Sequence, residues 1–295
     1  MSAARNLQVG NDLAFSLRHR RTWLNLALTI LAVGLAIVAA LPLASVLLML
    51  LARGVPLLSL ELFTSLPPGA GTIGGGIGNA ILGTTILVGV ASALSLPLGF
   101  LAAVYLAEYG GDSHLANTVR FSGKVLTGMP SILAGAFAYA SVVMLTGSFS
   151  AWAGGIATGI LMVPVVMLTA EEALRMVPDK MRQAALGMGS TRAQMVLEVV
   201  IPTALPAIMT GVMLALARAM GETAPLLFTA LFSNYWFEGN LSEPIASLAV
   251  LIYNFSGSPF ENQVELAWAA SLVLVVLVLI ANLTAQFVFR RRQVQ

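Results

Sequence analysis

The chain contains no cysteine, which excludes a disulfide framework, a thiol nucleophile and a thiolate metal site. Charge is nearly as scarce. Only 9% of residues are Asp, Glu, Lys or Arg, against about 25% in ordinary soluble domains. With 58% hydrophobic residues and a mean hydropathy of +0.89, the solvent for most of the chain has to be lipid. The two histidines, His19 and His114, lie in separate polar segments and read as surface side chains rather than a ligand pair. There is no H-E-x-x-H, no P-loop, no G-x-S-x-G and no cluster of His or carboxylates suited to a metal, so neither hydrolytic chemistry, a metal nor a cofactor is expected. Without a P-loop, any pumping has to be driven by another subunit or by an ion gradient. The net charge of +2 is small, and the basic residues form no single stripe, which argues against nucleic acid as a partner.

What the chain has instead is a series of long apolar runs. A polar arm, 1–22, precedes a run over 23–51 that can cross a hydrocarbon core of about 30 Å with tilt. That run is span-length and no small-residue cleavage site follows it, so it reads as an anchor rather than a removed leader. A turn-rich stretch, 53–75, holds Pro56, Pro67 and Pro68. A second span is expected over 76–107, with Gly78, Gly83 and Gly89 offering a small-residue face. A short polar connection, 108–124, leads to spans over 125–145 and 149–169, joined around Gly147. A fifth span is expected over 203–232, then a polar segment, 233–265, with Glu238, Glu243 and Glu261 but no Lys or Arg. The last span covers 266–289 and ends in Arg290, Arg291 and Arg292.

Of the 15 Lys and Arg, all but Arg53 and Arg218 fall in the arm, the 108–124 connection, the segment 171–202 or the tail. The positive-inside rule then places both termini and 171–202 in the cytoplasm, and 52–75 and 233–265 outside. The expected fold is an all-α polytopic bundle of about six transmembrane helices.

The segment 171–202 is a polar island. Glu171, Glu172, Arg175, Asp179, Lys180, Arg182, Arg192 and Glu198 forbid a bilayer span, yet apolar residues persist among them at helical spacing. Pro178 ends one helix and Asp179 is placed to cap the next. Over 180–188, Met181, Ala184, Ala185 and Met188 make one narrow apolar face, small enough at its middle for another surface to approach the backbone. Gly187 and Gly189 suit the closing turn. Thr191 with Gln194 forms a T-x-x-Q capping box for a second segment, which Pro202 and Pro206 close or kink. The alternative, a solvated connecting loop, fits poorly with the length, since connections inside compact domains are usually far shorter.

The fifth span carries Arg218-Ala-Met-Gly-Glu222-Thr223-Ala-Pro225. An ionised side chain near mid-span costs about 2.5–3.5 kcal/mol even on the lenient insertion scale. Arg218 and Glu222 stand one turn apart, in the weaker order for a helical pair. Pro225 frees the carbonyl of Gly221, so the helix should kink or unwind beside the charges. Two readings stand: a structural ion pair that neutralises itself, or a polar translocation path, Arg218, Glu222 and Thr223, with Arg218 as its cation. A secondary transporter or channel would also have such a path, but a self-sufficient transporter has no need of the island's docking face.

Gln183-Ala-Ala, followed at intervals by Gly189, Val199 and Val200-Ile201-Pro202, resembles the EAA-x3-G-x9-I-x-L-P loop of permease subunits in binding-protein-dependent ABC importers. The chain departs from that pattern at Gln183, Val199 and Ile201. A wider set of strings extends the likeness: Pro67-Pro68-Gly69, Gly74-Gly75-Gly76-Ile-Gly-Asn79, Tyr105-Leu-Ala-Glu108-Tyr109-Gly110, Pro130-Ser131-Ile132, Glu172-Ala-Leu-Arg-Met-Val-Pro178, and Ala217-Arg218 through Ala230. Together, over most of 60–285, they resemble the A-type permeases of phosphate-specific (Pst) ABC importers.

That resemblance implies a type I ABC importer permease fold, with a core over 75–287, the coupling loop at 171–202, a peripheral first helix at 23–51 and a basic tail at 288–295. It implies docking of the loop, through Met181, Gln183, Ala184, Ala185, Met188 and Gly189, on a cytoplasmic ATPase present in two copies. It also implies a sister permease, a periplasmic phosphate-binding protein and residence in the bacterial cytoplasmic (inner) membrane, in contact with lipid. Sulfate-type and molybdate-type oxyanions are the alternative substrates.

Overall fold

The computed structural model describes residues 20–72 and 74–290, with side chains described from 21 to 284. Residues 1–19 of the arm expected over 1–22, and the end of the basic tail, 291–295, lie outside the described residues. Among those described the chain is helical, with no strand. It divides into two units, residues 1–52 and 53–295.

The first unit is built on α1, Arg20–Gly54. Large apolar side chains stay exposed all round it, from Trp23 to Met49. A helix of this length that is apolar on every face is one that a bilayer has to cover.

The second unit opens with a single 3-10 turn, Val55–Leu57, and α2, Leu60–Thr64, whose first turn is capped by the Ser59 hydroxyl accepting from Leu62 N–H at 3.2 Å. Then α3, Gly78–Val104, continues without a break through a π-turn at Tyr105–Tyr109. It is followed by α4, His114–Gly128, and by α5, Ser131–Ala138, which runs through a second π-turn, Tyr139–Val143, into α6, Met144–Thr146. Next come α7, Ala151–Arg175, and α8, Asp179–Gly187. A one-turn α9, Arg192–Gln194, passes through a third π-turn, Met195–Val200, into α10, Ile201–Met220. The chain ends with α11, Ala224–Leu227, α12, Leu248–Ser256, and α13, Glu261–Arg290. Among the described residues, five helices are long and apolar enough to cross a membrane, and a sixth span results if the bent pair α4 and α5–α6 is counted as one.

The buried centre is α7, packed against α3 and α10 in one apolar cluster. Lipid removes any hydrophobic drive between helices, so close approach through small residues has to supply the contact. Ala153, Gly154, Gly155, Ala157 and Thr158 are all buried on α7, and Gly99 of α3 leaves no room for a Cβ beside Val166. Gly83 of α3 is the sharpest case: a methyl there would run into the carbonyl oxygen of Ala246, a backbone atom that cannot turn aside.

Several span boundaries differ from the sequence reading. The connection expected at 108–124 is folded from His114 onward as α4, whose Ala116 and Gly123 are buried. The third span is broken, α4 meeting α5–α6 at 104°. Pro130 explains the corner, because its ring pushes Met129 out of the helical region, to φ −74° and ψ 136°. Pro202 and Pro206, expected to close or kink the segment after the capping box, instead sit inside a continuous span over Arg192–Met220. The π-turn just before Pro202 widens the helix where the proline ring would otherwise meet the carbonyl one turn back. The fifth span stops at Met220 rather than at 232, with Gly221 as its C-terminal cap. The segment 233–265, read as polar, contains α12, whose Leu248, Ala249, Val250, Leu251 and Phe255 are buried. Its four carboxylates, Glu238, Glu243, Glu261 and Glu265, had masked that apolar run.

Candidate functional site

Two constellations carry the chemistry, the island and the break after α10. In the island, Pro178 is the residue preceding α8 and no side chain caps that end. Asp179, expected as the cap, is the first helical residue, and its Oδ1 lies 3.3 Å from Nη1 of Arg182. Proline already lacks the N–H that would need a partner, and a carboxylate in the first turn still favours the helix dipole. The end of α8 is a Schellman turn. Gly189 has φ +91°, its N–H donates to Leu186 O at 3.0 Å, and Ser190 N–H donates to Ala185 O at 3.2 Å, so two terminal carbonyls are satisfied. The capping box at Thr191 is present with both of its hydrogen bonds.

The expected docking face of α8 is split along its length. Ala185 is 2% exposed and belongs to the core cluster with Leu174, Val177, Met195 and Val196. It anchors α8 to its own chain, and its neighbour Ala184 is the small residue left exposed. Met181, Gln183, Ala184, Met188 and Gly189 are exposed, Met188 at 81%. At 100° per residue Ala185 and Arg182 occupy one edge of the face and turn inward, while Ala184 and Met188 occupy the other and turn out.

What holds the island in place was not seen in the sequence. Arg182 reaches back into the bundle, with Nη2 at 2.8 Å from Oε1 of Glu108 and 2.9 Å from Leu174 O, and Nη1 donating to Val177 O. Arg192 Nη2 donates to the backbone carbonyl of the same Glu108 at 2.9 Å, and its guanidinium lies 5.5 Å from the ring centre of Tyr109. A second buried carboxylate, Glu171, takes Arg120 Nε at 2.6 Å and Arg175 Nη2 at 3.0 Å. Arg120 also donates to Leu106 O at 2.8 Å and Gly111 O at 3.0 Å. Glu108 and Glu171 are 8% and 5% exposed, and a carboxylate buried to that extent has to be paired. Part of the signal was available, since Arg175 stands one turn after Glu171; the partners Arg120 and Arg182 lie 51 and 74 residues from their carboxylates and leave no local trace.

At the other constellation, α10 ends at Met220 and the chain unwinds over Gly221, Glu222 and Thr223 before α11. Arg218 therefore stands in the last turn of α10, where a cation also faces the negative end of the helix dipole. Its Nε is 3.2 Å from Oε1 of Glu222, with side-chain exposures of 42% and 12%. Among the described residues this is the one polar contact of the Arg218 side chain, which leaves both terminal nitrogens of its fork open. The half-buried Thr223 starts α11, its carbonyl accepting from Leu226 and Leu227 N–H at 3.1 and 3.2 Å. The break lies within the depth of the bundle. Pro225 abuts Gly135 part-way along α5, and Leu226 packs with Leu87 of α3.

Beyond α11 the chain folds over the ends of α3 and α7. Asn79 Nδ2 donates to Ser233 O at 2.9 Å, Ala151 N–H to Glu243 O at 3.0 Å, Trp152 N–H to Leu241 O at 3.1 Å, and Leu248 N–H to Thr84 Oγ1 at 2.9 Å. Backbone polar groups at membrane depth are thus satisfied by neighbouring protein.

Comparison with known proteins gives a consistent picture. Residues 95–294 match the family model described as binding-protein-dependent transport system inner membrane component. Among curated proteins, the chain is 42% identical over 241 residues to the phosphate transport system permease protein PstA of Yersinia pestis, covering 82% of this chain and 81% of that one. It is 38% identical over 287 residues to PstA of Haemophilus influenzae, covering 97% and 100%. Among solved structures, a chain of the MetNI methionine ABC transporter in an inward-facing conformation superposes with TM-score 0.57 at 20% identity, over 72% of this chain and 92% of that one. A chain of a bacterial alginate ABC transporter, in complex with its alginate-bound periplasmic protein, superposes with TM-score 0.65 at 16% identity, over 92% and 96%.

Proposed function

The chain belongs to the family of binding-protein-dependent transport system inner membrane components and has the fold of a type I ABC importer permease; from that premise we propose that it forms half of the translocation path of an ATP-driven importer of inorganic phosphate. The observation that carries phosphate is the 42% identity, over four fifths of the chain, to a protein named as a phosphate permease. The Arg218–Glu222 pair supplies a matching chemistry. Phosphate near neutral pH retains one or two protons, so it can use a cation for its charge and a carboxylate to accept its O–H. Fully deprotonated sulfate gains the first and is repelled by the second. Arg218 offers two free terminal nitrogens in a planar fork suited to one oxyanion, Glu222 offers an acceptor beside it, and Thr223 adds a hydroxyl to the same path.

In this reading both termini and the island face the cytoplasm, because Lys and Arg gather there. The exposed edge of α8, with Met181, Gln183, Ala184, Met188 and Gly189, docks on an ATPase subunit, one of two copies that supply the hydrolysis. A sister permease completes the path, and a periplasmic phosphate-binding protein delivers substrate to the far side. The core over 75–287 is the part shared between the two permeases. The test is to delete the gene for this chain in its native cells and to purify the tagged chain from them with its partners. High-affinity phosphate uptake should disappear on deletion and return with the wild-type gene, and an ATPase and a second permease should co-purify. Unchanged phosphate uptake in the deletion strain, with sulfate or molybdate uptake lost instead, would contradict the reading.

A further inference from the structure

Three of the spans are tied to α8 in different ways. The chain itself joins α8 to α7 through Met176–Pro178 and to α10 through α9 and a π-turn. By contrast, α3 precedes α8 by a long stretch of sequence and is joined to it by polar contacts. Those contacts converge on one residue, Glu108. Its carboxylate holds Arg182 of α8 at 2.8 Å, and its carbonyl holds Arg192 of α9 at 2.9 Å. Arg182 is fixed in turn by the carbonyls of Leu174 and Val177, at the end of α7. The guanidinium is thus a pin through the ends of α3, α7 and α8, with its side chain 16% exposed against 5% for Glu108.

The opposite end of α3 is held as firmly, and to a different part of the chain. Asn79 donates to Ser233 O, Thr84 Oγ1 accepts from Leu248 N–H, Gly83 lies against Ala246, and Leu87 packs on Leu226 and Ala230. This is the segment that continues directly from Arg218, Glu222 and Thr223. Between the two ends α3 and its π-turn form one unbroken helical rod, Gly78–Tyr109.

We propose that α3 is the strut that carries displacement of α8 to the segment beyond the Arg218–Glu222 break, with Glu108 as the positioning residue at its foot. The proposal rests on the reading of α8 as the element that docks on the ATPase, and adds the route by which its movement reaches the path. A rigid element pinned at both ends moves as a body, whereas an unpinned foot lets α8 move with α7 and α10 while α3 stays behind. The Glu108 carboxylate faces Arg182 and its carbonyl faces Arg192. One residue can therefore serve as both acceptors.

The experiment uses the complete importer in proteoliposomes, reading phosphate uptake and ATP hydrolysis in the same preparation. Glu108→Gln keeps the backbone acceptor for Arg192 and removes the charge that holds Arg182. The assembled complex should go on hydrolysing ATP in response to loaded binding protein, while phosphate moved per ATP falls at least tenfold. The double substitution Glu108→Cys, Arg182→Cys, in a chain otherwise free of cysteine, removes the pin and permits its replacement. Joining the two thiols with a short bis-maleimide should raise uptake per ATP at least fivefold over the unlinked form, with the wild-type chain treated alike as control. A charge needed only for folding would not be replaced by a neutral linker. Unchanged uptake per ATP in Glu108→Gln overturns the proposal, as does a linked double variant that stays uncoupled. Failure of the wild-type chain to assemble with an ATPase, or to import phosphate at all, would count against the underlying functional reading instead.

Discussion

Arg218 and Glu222 were legible in the sequence as a pair because opposite charges one turn apart in an apolar run have little but each other to neutralise them. The unwinding expected beside them is present over 221–223, whereas the packing of Pro225 on Gly135, which sets the break within the bundle, was not legible. The two readings of the pair make different predictions. If Arg218 binds the oxyanion through its fork, Arg218→Lys keeps the charge but loses the bidentate geometry, a loss of about 1.5–3 kcal/mol. Uptake should then drop roughly ten- to hundredfold at normal membrane abundance, and Glu222→Gln should drop similarly. If the pair merely neutralises itself, the single changes should lower abundance, and Arg218→Leu with Glu222→Leu should restore both abundance and uptake. Membrane abundance by immunoblot and ATP-driven phosphate uptake, measured on the same vesicles, separate the two. Glu108 and Glu171 were the residues that sequence reasoning missed. Each holds an arginine far along the chain, Arg182 for Glu108 and Arg120 for Glu171, and local spacing carries no trace of those two pairs; the Glu171–Arg175 pair, one turn apart, was within its reach.

At the scale of elements, α8 shows what periodicity can and cannot fix. Spacing located the helix, its Schellman glycine and the capping box after it, because these are local interactions among residues a turn apart. Spacing could not say which edge of the apolar face its own chain would cover, since that depends on where α3 and α7 end. The structure turns Ala185 inward and leaves Ala184 exposed, and two adjacent alanines should therefore respond differently to bulk. Ala184→Trp should leave the chain abundant in the membrane but weaken its hold on the ATPase by about 1–3 kcal/mol, read as loss of the ATPase from a detergent-purified complex. Ala185→Trp has no space within the chain and should lower the abundance of the chain itself. Equal abundance and equal ATPase recovery for both variants would contradict the placement of α8. The prolines illustrate the reverse limit: Pro130 makes the corner that a proline suggests, whereas Pro202 follows a π-turn that accommodates it and Pro206 sits inside α10.

For the whole molecule, composition and the distribution of Lys and Arg carried most of the argument. Scarcity of charge required a membrane, and apolar run lengths gave about six crossings, against five long helices among the described residues, or six with the bent pair counted as one span. The ends of the spans were less accessible, since π-turns, α12 and the fold of the chain over α3 and α7 all depend on contacts distant in sequence. The orientation proposed from the basic residues predicts that a reporter fused after Gln295 is active in the cytoplasm, and periplasmic activity would reverse the topology. The most direct test of the account is uptake of radiolabelled phosphate by proteoliposomes holding the purified complex, with loaded binding protein on one side and ATP on the other. The account predicts uptake that requires both ATP and the binding protein, and that excess unlabelled sulfate or molybdate leaves essentially unchanged. Phosphate uptake independent of ATP, or ATP-driven transport of sulfate or molybdate in place of phosphate, would contradict it.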